Sequence, residues 1–310
     1  MTKILEVKEL LVGYYKDYEK YINPVVKFVF ILVSLLKLNS YLGYNNILGN
    51  FFVNVLIAAG ATFIPGSWFI VILMGIVGFQ LYTAGLIEAT IIVILGMIVI
   101  YLLFVRLFPK MAYFVVLVPV LFSFHLGYVI PIIAGLFFGP TTIVAIGTGI
   151  LVYKSVIYLP NLLSMTSESL YDMPDTLVSM YKFILDALMQ DRDMILTIVV
   201  FSLVVIITYI VSQLEFDYIW YIAIGAGGLR TILGFIIGSV ILSVNISVVN
   251  VIFGTIIAVI ICSIIQFMRF SLDYMRKEQV QFEDEDYYYY VKAIPKIRVT
   301  KAEKEIKKIK

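Results

Sequence analysis

Charge is scarce in this chain. Asp, Glu, Lys and Arg make up 14% of its 310 residues, whereas a water-soluble domain carries about a quarter to cover its outside. With 62% of the residues apolar, the covering solvent must be lipid, which excludes a soluble fold. Histidine and cysteine are scarcer still. His125 and Cys262 are each the only residue of their kind, which excludes an intrachain disulfide and a zinc site built from cysteines or paired histidines. Catalytic signatures are missing too: there is no G-x-x-x-x-G-K-[ST] phosphate loop, no H-E-x-x-H and no G-x-S-x-G. P-loop ATP hydrolysis and the common hydrolase arrangements are therefore excluded. An intramembrane aspartyl enzyme would need acids at depth, and no acid lies clearly within the centre of an apolar run. The expectation is a protein that is not an enzyme and uses no metal or organic cofactor. The opening residues, MTKILEVKELLVGYYKDYEKYI, lack the uninterrupted apolar stretch of a cleaved secretory signal, so the first span is expected to act as an uncleaved one.

What is present is a succession of apolar runs. At about 20 residues per crossing, they divide as 25–41, 48–64, 67–82, 87–105, 111–127, 141–158, 194–213, 218–241 and 247–268, with a shorter tenth piece at 129–139. The fold class expected is all-α, a polytopic transmembrane helical bundle of nine or ten crossing segments, some of them broken half-helices. Ahead of it, residues 1–24 place Ile4, Leu5, Val7, Leu11, Tyr15, Tyr18 and Ile22 near one stripe at helical spacing, as an amphipathic interfacial helix does. Residues 159–193 turn polar, and after the start signal Asp172-Met-Pro-Asp175 an amphipathic helix is expected from Asp175 to about Met189. Residues 194–268 supply three further spans, and 269–310 form a tail with 11 of the 23 basic residues.

Lysine and arginine flank the cytoplasmic ends of spans. Lys3, Lys8, Lys16 and Lys20 precede the first span, Arg106 and Lys110 mark a loop, and Arg269, Arg276 and Lys277 follow the last. Both termini are thus expected in the cytoplasm, which demands an even number of crossings. Ten are obtained if 129–139 descends and the chain reverses at Gly139-Pro140; the 159–193 segment, with six acids against Lys182 and Arg192, then lies outside. The excess of lysine over arginine and the isoleucine richness point to a bacterial chain, hence to the bacterial cytoplasmic membrane.

Two stretches resemble each other. Ala59-Gly-Ala-Thr-Phe-Ile-Pro-Gly-Ser67 and Ala134-Gly-Leu-Phe-Phe-Gly-Pro-Thr-Thr142 both read A-G-x-x-F-x-P followed by two small residues, and each follows a Leu-Gly-Tyr, at 42–44 and 126–128. An internal duplication of 25–82 and 111–158, with both copies running the same way, is the expectation they raise, although the spacing between the two markers differs by nine residues. A third interruption is expected at Ala223-Ile-Gly-Ala-Gly-Gly-Leu-Arg-Thr231, where three glycines weaken a helix by roughly 1 kcal/mol each. Arg230 then falls at mid-span, where an ionised side chain costs at least about 2.5–3.5 kcal/mol.

Broken backbone at membrane depth needs protein or a wet cavity to satisfy it, and secondary transporters build solute sites from such breaks. The functional expectation is a permease, or the membrane subunit of a transporter, moving a small solute or ion along a pathway lined by Gly139, Pro140, Thr141 and Thr142 and by Gly227, Gly228, Arg230 and Thr231. The competing reading makes 65–67 and 139–142 surface turns, Gly225, Gly227 and Gly228 packing contacts, and Arg230 a brace. Lys37 and Lys154 read as snorkelling lysines, Glu88 as an external helix start, and Gln80, Ser239 and Asn250 as sources of interhelical hydrogen bonds. A non-transport scaffold is the alternative function, its tail 282–310 recruiting a cytoplasmic protein partner through a tyrosine-rich segment and a lysine-rich end that could also lie on anionic lipid. Nucleic-acid binding is not expected, because the basic residues are few and interspersed with acids. Solute, coupling ion, direction and oligomeric state are not legible.

Overall fold

The computed structural model describes residues 2–43, 45–64, 66–109, 111–163, 165, 173–269 and 278–295. Pro65, Tyr44, Lys110, Arg276, Lys277 and the lysine-rich end at 296–310, all used in the sequence reading, lie outside them. The described chain is helical apart from one hairpin: α1 (Thr2–Leu42), α2 (Asn46–Gly49), α3 (Phe51–Thr62), α4 (Gly66–Thr83), α5 (Ile87–Ile100) continued by a π-helical turn (Tyr101–Val105), α6 (Tyr113–Ser123), α7 (Val129–Phe137), α8 (Thr142–Leu163), α9 (Met173–Gln190), α10 (Arg192–Ser212), α11 (Ile219–Leu242) and α12 (Val248–Arg269), then β1 (Glu278–Glu283) and β2 (Tyr288–Ala293).

Five stretches of these helices are long and apolar enough to cross a membrane: Glu6–Leu42, Thr142–Leu162, Arg192–Ser212, Ile219–Leu242 and Val248–Arg269. Phe51–Thr62, Trp68–Thr83, Ile87–Ile100 and Tyr113–Ser123 are apolar but shorter, so length supports a helical membrane protein with several crossings rather than a count of nine or ten. The N-terminal segment is helical and meets the helix of the first span at a kink at Tyr18 (φ −113°, ψ 16°).

Local chemistry explains several of the boundaries. Asn45 accepts from the amides of Ile47 and Leu48, and Asn50 from that of Phe52; Asp191 accepts from that of Met194 at the start of α10. Each side chain satisfies amides that a first helical turn leaves free. At the other end of α3, the Lys27 ammonium donates to the carbonyl of Thr62 at 2.7 Å and to that of Ile64. Orphan carbonyls at a helix C-terminus favour such a cation.

Cross-helix contacts give the directions. The Lys27–Thr62 bond and that of Asn39 to Asn54 at 2.9 Å set α3 antiparallel to α1. Gly149 abuts Val118 while Phe122 packs on Tyr153 further along both helices, so α6 and α8 run the same way. Tyr128 meets Phe201 and Gly135 meets Val205 and Thr208, so α7 runs with α10. Gly227 faces Thr208 and Gly234 faces Val200, so α11 runs against it. Since Lys154 pairs with Asp193 and Gly139 faces Tyr209, α8 also opposes α10, and the chain reverses between α7 and α8 at Gly139-Pro140. The segments 25–82 and 111–158 thus share an order of ascending, short descending and ascending helices. Their packing differs: α3 lies on α1, whereas α7 lies on α10 and α12. The Lys8 ammonium sits 5.1 Å from the Phe267 ring, which brings the start of α1 beside the end of α12.

The main core gathers α6, α7, α8, α10, α11 and α12, with Ile130, Ile132, Ala134, Val204, Val205 and Ile224 among its fully enclosed members. A second cluster, including Leu81, Leu162 and Met180, seats the apolar face of α9 on α5 and α8.

Candidate functional site

The residues singled out by sequence fall on two elements, the turn between α7 and α8 and the helix α11. Gly139, Pro140, Thr141 and Thr142 form the turn between α7 and α8, and the turn satisfies its own backbone. Gly139 takes φ +84°, a left-handed conformation that glycine adopts without a Cβ penalty. Its amide and that of Phe138 both donate to the Ala134 carbonyl, at 2.9 and 3.0 Å. The buried Thr142 hydroxyl donates to the Gly139 carbonyl at 2.7 Å, so it serves the turn. Pro140 and Thr141 are exposed.

The interruption expected at 223–231 is not formed. α11 is continuous from Ile219 to Leu242, and Thr231 makes an ordinary helical back-bond to the Gly227 carbonyl at 2.8 Å. Gly227 and Gly228 are there because neighbours occupy the space of a side chain: a Cβ would lie 2.5 Å from Thr208 Oγ1 at the first and 2.6 Å from Val259 at the second. Packing enthalpy from close helix approach outweighs their low helix propensity. Arg230, one turn on, is half-buried, and its Nε is buried with no hydrogen-bond partner among the described residues. Ser239 bonds the Ile236 carbonyl of its own helix rather than a neighbour.

A cavity lies elsewhere, between α1, α4, α5, α6 and α8. Its volume is about 120 Å³, and Leu38, Met74, Val77, Met97, Val115 and Val152 are on its wall. A second void of about 120 Å³ shares Leu38, Val77, Met97, Ile100, Val152 and Val156 with it and extends to Leu159, Leu162 and Ile184 under α9. The elements around it are irregular. Pro119 on the wall lies inside α6 and has no N–H to give the Val115 carbonyl. Next to Met97 and Ile100 the helix widens into the π turn, closed by the Arg106 amide on the Tyr101 carbonyl at 2.9 Å; such turns recur at functional sites.

Polar groups on the wall are few. The hydroxyls of Ser34 and Ser155 are taken by the carbonyls of Phe30 and Leu151 in their own helices, at 2.7 and 2.8 Å. The Lys37 ammonium stands 4.2 Å from the centre of the Phe124 ring, and no acid pairs with it among the described residues. One side of the cleft is braced by a polar network: Asn39 donates to the carbonyl of Leu48 and to Asn54 Oδ1, at 2.7 and 2.9 Å, and Gln80 Nε2 donates to Asn39 Oδ1. Another is braced by Lys154, which pairs with Asp191 at 3.1 Å and Asp193 at 2.6 Å. Tyr158 adds a hydrogen bond to Asp191 at 2.7 Å.

Neither protein-family models nor curated proteins nor solved structures match this chain. Among the described residues no cluster of His, Cys, Asp and Glu is arranged to hold a metal ion. Most cavity residues escaped the sequence reading because they are ordinary apolar residues of a span; local signals were Pro119 inside an apolar run and Lys37 within the first.

Proposed function

We propose that the chain is a multi-pass permease, or the membrane subunit of a transporter, in which a small solute occupies the cleft between α1, α4, α5, α6 and α8. The observation that carries this is the pair of adjoining cavities inside the helix assembly. Apolar interiors otherwise close to crystal-like density, and ligand sites in helical proteins lie between helices. The reading places both termini in the cytoplasm of a bacterial cell, with the shorter apolar helices crossing alongside the five long ones. Gly227, Gly228 and Thr231 belong to packing in this proposal, and Gly139, Pro140, Thr141 and Thr142 to a turn. Arg230 keeps a functional role because an unpaired donor within a span is costly.

Cysteines placed at Met74, Val115 and Val152 in a Cys262→Ala background test it with a small apolar thiol reagent that partitions into the membrane. Modification at these positions, with protection at Gly227 and Gly228, is the expected pattern; uniform protection defeats a pathway through the cleft. Arg230→Gln should lower flux in proteoliposomes while the yield of folded protein stays unchanged.

The second reading, a membrane scaffold, has one observation in its favour. β1 and β2 pair in register Val280 to Val291 and Phe282 to Tyr289, and this apolar face is solvent-exposed at Val280, Phe282 and Val291, whereas an isolated two-stranded hairpin is marginal in water. Removal of residues 278–310 separates the two: flux survives in a permease, and partner recruitment is lost in a scaffold.

A further inference from the structure

We propose that the cleft binds a slender anionic amphiphile, a single hydrocarbon chain ending in a carboxylate or phosphate, with the chain among Met74, Met97, Val115 and Val152 and the anion on Lys37. This names the ligand class and rests on the reading of the same cleft as a solute site.

Shape comes first. Each void, at about 120 Å³, is close to the roughly 150 Å³ of an engineered apolar cavity that stays dry and takes a benzene-sized guest. Two such voids joined along shared walls suit a narrow, flexible chain rather than a compact polar solute. The wall chemistry agrees. Both serine hydroxyls are bonded within their own helices, so they offer little to a sugar or an amino acid. Met74 and Met97 are unbranched and deformable, and such side chains adapt to alkyl groups of varied outline.

Charge supplies the head. Lys37 is half-buried on the cavity wall, and its ammonium has the Phe124 ring at 4.2 Å but no carboxylate among the described residues. A ring face offsets part of the desolvation of a cation; an anion in a medium of low dielectric offsets far more. Asp191 and Asp193, the acids beside the α8 wall, both face Lys154. The wall also carries Tyr41 and Tyr153, which hydrogen-bond each other; the unmatched charge at this mainly apolar cavity is therefore positive, and the complementary guest is an anion with a hydrocarbon tail.

The test uses the full chain in phosphatidylcholine nanodiscs and a diazirine-bearing fatty acid as photoprobe, with adducts mapped by mass spectrometry. Adducts should fall on cleft residues and be competed by laurate or by dodecyl phosphate, but not by dodecanol. Laurate alone competing would identify a free fatty acid as the source, and dodecyl phosphate alone a lipid phosphate; either supports the shared chemistry. Lys37→Met should weaken labelling about tenfold, as expected for the loss of one partly screened charge contact, while Lys37→Arg should retain it. Val115→Phe, which fills the wall and keeps the charge, should abolish it. Competition by dodecanol equal to that by laurate, or unchanged labelling in Lys37→Met, overturns the anion assignment; adducts confined to outward helix faces overturn the site. Cleft adducts without laurate flux in proteoliposomes would remove the transport reading and leave the site standing. Flux with no preference for the anion would remove the ligand class and leave transport standing.

Discussion

Lys154 and Asp193 form an ion pair at 2.6 Å, and it ties the middle of α8 to the first turn of α10. Asp191, two residues earlier, lies 3.1 Å from the same ammonium and also caps α10 through the Met194 amide at 2.9 Å. The side chain of Asp191 is only 7% exposed, so the cluster is a buried charge network at the junction of α9 and α10.

Removal of the cation should be costly. Lys154→Met leaves the buried Asp191 carboxylate without its counter-charge, a loss on the order of 3 kcal/mol for a buried pair broken on one side. Asp193, at 46% exposure, contributes little of that. A fall in thermal midpoint of the detergent-solubilised protein is expected, with partial recovery in Lys154→Met/Asp191→Asn. An unchanged midpoint in the single variant would show that the network does not hold the junction.

The same carboxylate sets an acid limit. Burial acts to raise the pKa of Asp191, but the Tyr158 hydroxyl, the Met194 amide and the Lys154 ammonium outweigh it, and the group is held below its ordinary 3.8. A depressed folded-state pKa stabilises fully above the unfolded value and is lost as pH falls through the folded one. The thermal midpoint should therefore drop below about pH 4, and Asp191→Asn should flatten that limb while lowering the plateau. A pH profile identical in the two proteins would contradict it.

Glycines divide into those that are contacts and those that are not. A Cβ on Gly135 would lie 2.6 Å from the Val205 carbonyl oxygen, a backbone atom, whereas one on Gly225 meets nothing within 4 Å. Gly135→Ala should destabilise by about 1–3 kcal/mol, because α7 must move off α10. Gly225→Ala should be neutral or stabilising, as expected for a continuous helix. Loss of stability in Gly225→Ala would instead favour an unwound segment there.

Lys27 closes α3 from a different helix. Lys27→Met removes the donor to the Thr62 and Ile64 carbonyls and should cost about 1–3 kcal/mol, the penalty for carbonyls left without a partner. Lys27→Arg should keep most of the stability. Hydrogen exchange at the end of α3 is the sensitive measurement, and unaltered protection in the methionine variant would refute the cap.

Much of the architecture was legible from the residues. Gly139-Pro140 was read as a reversal because basic flanks at both ends of the chain demand an even number of crossings, and the left-handed Gly139 (φ +84°) is what ends α7 there. The helix after Asp172-Met-Pro-Asp175 was legible through its apolar periodicity, and it runs from Met173 to Gln190. The three glycines of α11 misled because propensities describe a helix in water. Inside a bundle two of them, Gly227 and Gly228, let Thr208 and Val259 approach, and close contact compensates the weakened backbone.

Composition by itself determined that this is a helical membrane protein, since so little charge leaves no way to cover a surface with water. Residue order marked several helix ends, such as those capped by Asn45, Asn50 and Asp191, which depend on a few adjacent residues. Only the tertiary structure decided which helices touch, where the cleft lies and that Lys37 meets a ring instead of an acid. The physical reason is that lipid and protein interiors are equally apolar: helices such as α4 and α10 are hydrophobic on all sides, so their sequences do not separate the face turned to a neighbour from the face turned to lipid.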